Sequence, residues 1–176
     1  MSGHNKWSKI KHKKAASDAK KSKVFGKLTR LIATESKRVE GDITVSSLRA
    51  AIEKARAENM PTDNIERAIA KGKTDTGAPM EEVIYETYSP GGVAVIIEGL
   101  TDNRNRTAAE LKHILSQHSL ELAAPGSASW AFTKTGTEWK PNATVPLSKS
   151  DGEKLGILID ALEDHDDVQS VFVNAV

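Results

Sequence analysis

The sequence predicts an α+β protein: a three-helix domain, then a ferredoxin-like β-α-β-β-α-β domain with an extra N-terminal strand. Three observations predict it. Apolar residues recur at helical spacing in three segments up to Gly72. The period then drops to strand-like alternation near residue 80. After the first strand, the remaining elements run in the split β-α-β order, which places two helices on one face of an antiparallel sheet.

Residues 1–13 show no clean period, with Trp7 and Ile10 set among lysines. From about Ala15 to Val39 the pattern is helical. At about 100° per residue, Lys20, Lys23, Lys27, Arg30 and Lys37 share one stripe, while Val24, Phe25, Leu28, Leu31, Ile32 and Val39 occupy a separate arc. Gly41-Asp42 breaks this helix. Ser46 or Ser47 is placed to cap a second one, with Leu48, Ala51, Ile52 and Ala55 on one face. Pro61 stops it. The third helix, TDNIERAIAKG, turns Ile65, Ala68 and Ile69 inward, and Gly72 reads as the glycine just past its end. Short helices with small apolar faces need one another to persist, so they are read as one unit. The domain boundaries follow: 1–72 as basic arm plus three-helix domain, 73–79 (KTDTGAP) as linker, 80–176 as the α/β domain.

EEVIYETY and VAVIIEGL read as strands joined by the turn Ser89-Pro90-Gly91-Gly92. NRTAAELKHILSQHS is a helix with Ala108, Leu111, Ile114 and Leu115 inward, and Thr107-x-x-Glu110 fits a capping box. SASWAF is the next strand and TEWKP, reaching toward Val145, the one after. SDGEKLGILIDALEDH is a helix opened by a second box, Ser150-x-x-Glu153. VQSVFVNA closes the chain as a strand.

Composition narrows the function. There is no cysteine, which removes disulfides, thiol chemistry and cysteine-ligated zinc and suits a reducing compartment. No apolar run approaches the roughly 20 residues a bilayer requires. The basic N-terminus has no apolar core of a secretory signal. These features read as a cytoplasmic protein without a membrane partner. The net charge of +1 hides a split: residues 1–38 hold twelve Lys+Arg against two Asp+Glu, and the remainder is acidic. Such asymmetry points to a polyanion partner. The competing reading is a solvated charged face. The stripe lacks the interleaved acids of salt-bridged solvent helices, which favours the polyanion.

No enzyme constellation is legible. The five histidines are scattered, and no G-x-S-x-G, P-loop or G-x-G-x-x-G motif occurs. Pro90-Gly91-Gly92 is followed by a strand, so it reads as a hairpin turn and not a phosphate loop. Glu163-Asp164-His165-Asp166-Asp167 is the best metal candidate. A polar helix end is the favoured reading there, with a cation or the basic segment as ways to offset acids against the helix dipole. No cofactor is expected. In TDNRNRT, Arg104 and Arg106 sit at a helix N-terminus, a possible second anion site. The alternative is that Asp102 or Asn105 caps the turn and the arginines pair with nearby carboxylates.

Three stretches carry a resemblance: GHNKWSKIKHKKAASDAKKSKVFGKLTR, YSPGGVAVIIEGLTDNRNRTAAELKH and LEDHDDVQSV. In that order they resemble the YebC family, which includes the mitochondrial translational activator of cytochrome c oxidase subunit I. The resemblance covers almost the whole chain. It implies a non-enzymatic regulator of gene expression, labelled in the family as transcriptional, with ribosome binding and relief of stalling at proline-rich stretches also implied. The family pattern has a third domain inserted in the second. Here the strand SASWAFTKTG passes straight into TEWKP, so that insertion is read as absent, replaced by a turn near Thr135-Gly136-Thr137.

The expected nucleic-acid surface is Lys6, Trp7, Lys9, Lys11, His12, Lys13 and Lys14 in the arm, continued by Lys20, Lys23, Lys27 and Arg30. Lysines would act on phosphates and Trp7 on a base. The favoured partner is the ribosome, through ribosomal RNA. DNA is the alternative, through a helix-turn-helix-like use of the third helix, where Asn64 and Arg67 stand beside Asp63 and Glu66.

Overall fold

A computed structural model describes residues 18–176, with side-chain environments from residue 20 onward. The chain divides into two compact units between Met80 and Glu81.

Among the described residues the first unit holds three helices: α1 (Asp18–Arg38), α2 (Ser46–Ala57) and α3 (Thr62–Thr74). Their apolar faces form one core of Leu28, Ile32, Leu48, Ala51, Ile52, Ala55, Met60, Ile65 and Ala68. Burying side chains such as Leu28 and Ile32 stabilises the unit by about 1.5–3 kcal/mol each. Small residues let two helices approach closely. Gly72 is buried inside α3, not just past its end as its type suggests. A Cβ there would collide with the Ala33 carbonyl and the Ser36 side chain of α1. The Ser36 hydroxyl donates to the Ile69 carbonyl at 2.7 Å across the same crossing. Tertiary contact therefore explains this glycine, and α3 runs on to Thr74, into the expected linker. The α2 N-cap position is Val45, with no side-chain cap, so neither Ser46 nor Ser47 takes that role.

The second unit runs β1 (Glu81–Ser89), β2 (Val93–Thr101), α4 (Arg104–Gln117), a 3-10 turn (Ser129–Ala131), β3 (Phe132–Thr135), β4 (Glu138–Pro141), α5 (Lys149–Asp164) and β5 (Val168–Val173). The element sequence matches expectation, but the sheet does not. Instead of a four-stranded ferredoxin-like sheet there is an antiparallel three-stranded sheet, β1-β2-β5, and a separate β3-β4 hairpin. The reason lies in β1. It pairs with β2 over its full length, from Ser89↔Val93 to Glu81↔Thr101. The connecting turn supports this, with Gly91 and Gly92 at φ of 83° and 76°, values that cost glycine nothing. The extra strand thus occupies the side of β2 that the middle hairpin would need, and that hairpin packs on the sheet face instead.

This explains why β2 is almost wholly apolar. Val93, Val95 and Ile97 face a core with Leu111 and Leu115 of α4 and Leu155, Leu158 and Leu162 of α5. Ala94 and Ile96 face a second core with Ala128, Ala131, Phe132 and Phe172. Both faces of the strand are covered, so alternation disappears from its sequence. SASWAF is not one strand: Ser129–Ala131 make the 3-10 turn and β3 begins at Phe132. β4 ends at Pro141, short of Val145.

The expected capping boxes are displaced. Asn103 caps α4 by accepting from the Arg106 amide, so Thr107-x-x-Glu110 lies inside the helix. Asp102 and Asn105 are not the cap. Ser148 caps α5, accepting from the Asp151 amide at 3.1 Å and donating to the Asp151 carboxylate at 2.9 Å, in place of Ser150 and Glu153.

Candidate nucleic-acid interface

Helix α1 carries the described part of the basic surface. Lys20 and Lys23 are exposed, and Lys27 and Arg30 are half-buried. Leu28, Ile32, Thr34, Glu35 and Ser36 are buried on the other side. Glu35 receives the Arg38 guanidinium at 2.8 Å. Lys37, on the basic stripe, reaches the Gly77 carbonyl at 2.9 Å and Asp75 at 3.7 Å. It therefore ties the segment after α3 to α1. The arm residues Lys6, Trp7, Lys9, Lys11, His12, Lys13 and Lys14 lie outside the described residues.

Helix α3 offers less for reading bases. Arg67 donates to the Asn64 side-chain oxygen and to the Asp63 carbonyl, the latter at 3.2 Å. The two side chains suited to base edges are bonded to each other.

At the α4 N-terminus the arginines face carboxylates. Arg106 contacts Asp167 at 2.8 Å and Asp102 at 2.9 Å; Arg104 lies 3.8 Å from Glu81. The bonds to Asp167 and then Asp102 push the Arg106 pKa above its ordinary value. Asp167 is buried and also accepts from the Thr107 hydroxyl at 2.7 Å. A bulge in the β2-β5 pairing at Glu98/Gly99 brings Asp167 here, with its carbonyl accepting from the Leu100 amide at 2.8 Å. A Cβ on Gly99 would stand 3.0 Å from that carbonyl oxygen. The TDNRNRT turn is thus fastened to the end of the acidic run.

Glu110, His165 and Asp167 bring three ligand-type atoms within 4.8 Å of one another. Their bonds argue against a cation. His165 Nδ1 accepts from the Asp167 amide at 3.1 Å, so by hydrogen-bond assignment Nε2 carries the proton. That Nε2 donates to Glu110 at 2.8 Å. A metal on Nε2 would require loss of this proton and would stand beside the Arg106 guanidinium. The acidic turn is stabilised by an internal network of Arg106, Thr107 and His165.

The strand reading of SASWAF hid one residue. Trp130 stands on the 3-10 turn with its side chain outward, 65% exposed. A tryptophan two residues from Phe132 in an apolar stretch gives no sequence signal of that exposure.

The family model described as the TACO1/YebC protein N-terminal domain matches residues 5–75. The one described as the TACO1/YebC second and third domain matches residues 80–137 and 134–175. The chain belongs to the TACO1/YebC family. Among similar proteins, one from Fervidobacterium nodosum is 41% identical over 235 aligned positions, covering 99% of this chain and 93% of the relative. One from Thermotoga petrophila is 53% identical, covering 92% of this chain and 63% of the relative. Both are named "Probable transcriptional regulatory protein", a regulatory and not an enzymatic designation. The crystal structure of a conserved hypothetical protein, Aq1575, from Aquifex aeolicus matches with a TM-score of 0.77 at 32% identity, covering 90% of this chain and 91% of that one.

The two pieces of the second match meet at residues 134–137, the tip of the β3-β4 hairpin. The Fervidobacterium alignment needs 235 positions for a 176-residue chain, so that YebC relative holds a long segment without counterpart here. This is the short form expected from the direct passage of SASWAFTKTG into TEWKP. Among the described residues, no helix is long and apolar enough to cross a membrane.

Proposed function

We propose that this chain is a non-enzymatic, nucleic-acid-binding regulator of gene expression, acting on transcription through DNA. The observation that carries the reading is the division of α1: Lys20, Lys23, Lys27 and Arg30 on one stripe, and Leu28 and Ile32 buried on another. In sequence the stripe follows the lysine-rich segment 6–14, and the two concentrate positive charge in a chain that is acidic elsewhere. Lysines spaced along a helix meet phosphates, release counterions and carry little sequence information. The names of the relatives support the transcriptional assignment.

A second reading, a ribosome-bound translation factor, has one observation in its favour. Asn64 and Arg67 are bonded to each other, so α3 is poorly prepared for direct base readout. Folded RNA is recognised by shape, phosphate and unstacked bases, for which such a helix is not needed.

The test is co-sedimentation of the purified full chain with ribosomes at near-physiological salt, with excess duplex DNA as competitor. Transfer of the protein to the DNA is expected. Retention on ribosomes replaces the transcriptional reading with the translational one. Binding to neither overturns both.

A further inference from the structure

The second unit is acidic, with fifteen Asp+Glu against seven Lys+Arg in residues 81–176. One part departs from this. Between Leu122 and Ser150 the charged residues are Lys134, Lys140 and Lys149 against Glu138 alone. Two of the chain's three tryptophans, Trp130 and Trp139, lie in that same segment.

The structure gives the two tryptophans different surroundings. Trp139 is half-buried: its ring centre lies 6.4 Å from that of Phe132 in a T-shaped arrangement, its indole N–H donates to Glu98 at 2.8 Å, and the Lys134 ammonium lies 5.2 Å from its ring centre. Trp130 is exposed, yet it is held. Its indole N–H donates to the Tyr88 hydroxyl at 3.1 Å, and that hydroxyl donates to the Ser127 carbonyl. Its backbone carbonyl accepts from the side-chain amide of Asn142 at 3.4 Å. Glu86 accepts the amides of Gly126, Ala128 and Ser129, which fixes the loop leading into the turn. The ring is therefore oriented before any partner arrives.

The hairpin beside it is polar. Thr133 bonds Asn142 through their side chains at 2.6 Å, and Lys140 stands directly across from Thr133. Thr133, Thr135, Thr137, Lys140 and Asn142 are all exposed. A protein hot spot centres an aromatic residue in an apolar patch from which water is excluded. A lone, fixed aromatic face in a polar, lysine-bearing frame suits an unstacked base whose phosphates run past the lysine.

We propose that Trp130 and the β3-β4 hairpin form a second nucleic-acid contact, in which Trp130 stacks on an unpaired base and Lys140 meets the adjoining phosphate. This rests on the nucleic-acid reading above and narrows it: the second unit adds a preference for single-stranded or locally opened substrate. Stacking is insensitive to base identity and adds nothing to counterion release, so its signature differs from that of the α1 lysines.

The experiment measures fluorescence anisotropy of a labelled oligothymidylate and of a matched duplex against the full chain over a range of salt. W130A is expected to weaken single-strand binding about 5- to 100-fold while leaving the salt slope and duplex affinity in place. W130F is expected to recover part of the loss. K140A is expected to lower the salt slope by about one. A far-UV CD spectrum shows that each variant folds. Wild-type protein that binds while W130A matches it on the single strand overturns this inference alone. Wild-type protein that binds neither probe overturns the proposed function and this inference with it.

Discussion

Glu86 shows how one residue organises its surroundings. It is a buried carboxylate in the middle of a strand, a position where a charge is costly unless fully bonded. Burial pushes its pKa up, and the amides of Gly126, Ala128 and Ser129 more than offset that, so the net shift is downward. A lowered folded pKa means the contribution is full above the ordinary glutamate value and is lost as pH falls through the folded one. E86Q places an N–H donor against one of these amides and is expected to destabilise the second unit by about 1.5–3 kcal/mol near neutral pH. Urea unfolding should show the gap between wild type and E86Q narrowing once pH drops below about 4.5. A gap constant from neutral to acid pH would remove the charged carboxylate from this account. The residue was not legible in the sequence: EEVIYETY shows an alternating glutamate that looks solvent-facing, and its partners lie some forty positions away.

Among elements, the crossing of α1 and α3 carries the sharpest constraint. Gly72 is a poor helix residue, by about 1 kcal/mol relative to alanine. On propensity alone, G72A would stabilise α3. The close approach of Ala33 and Ser36 reverses that sign. G72A is expected to lower stability by about 1–3 kcal/mol through overpacking, read as a fall in the thermal midpoint. A rise in the midpoint would mean that the helices separate at little cost. The helices themselves were legible because their apolar faces follow a 3.6-residue period over many residues. The caps were not. Several Ser, Thr, Asn and Asp residues stand near the starts of α2, α4 and α5. Sequence cannot tell whether one of them takes the extended backbone that capping needs, as Asn103 and Ser148 do, or an apolar residue does, as Val45 does.

For the whole molecule, the uneven charge is the property that bears most on function. If α1 meets phosphates, reversing Lys20 and Lys23 removes two positive charges from an exposed face and puts two negative ones in their place. K20E/K23E is expected to weaken duplex binding at least tenfold at near-physiological salt and to flatten the dependence of log affinity on log salt by about two. The far-UV CD spectrum should not change, since both side chains are exposed. An unaltered affinity and slope would take α1 out of the interface. The TDNRNRT turn belongs to the same scale. Its arginines lie beside Asp102, Asp167 and Glu81. Asp102 belongs to the turn, but Glu81 and Asp167 come from distant segments, so the choice between anion site and ion pair could not be read from the turn alone.

The sequence by itself determined the family, the charge division, the absence of cysteine chemistry, the three helices and the order of the later elements. Each of these is local or compositional: a period, a run of residues, a turn with two glycines. Tertiary structure alone decided that β1 takes the place beside β2 and leaves β3 and β4 as a separate hairpin. It also decided that Gly72 is a packing contact, that Asp167 engages Arg106, and that Trp130 faces outward. Strand neighbours, buried ion pairs and the exposure of a single ring depend on which distant segment covers which face. A strand written in apolar residues reports that both its faces are covered, but not by what.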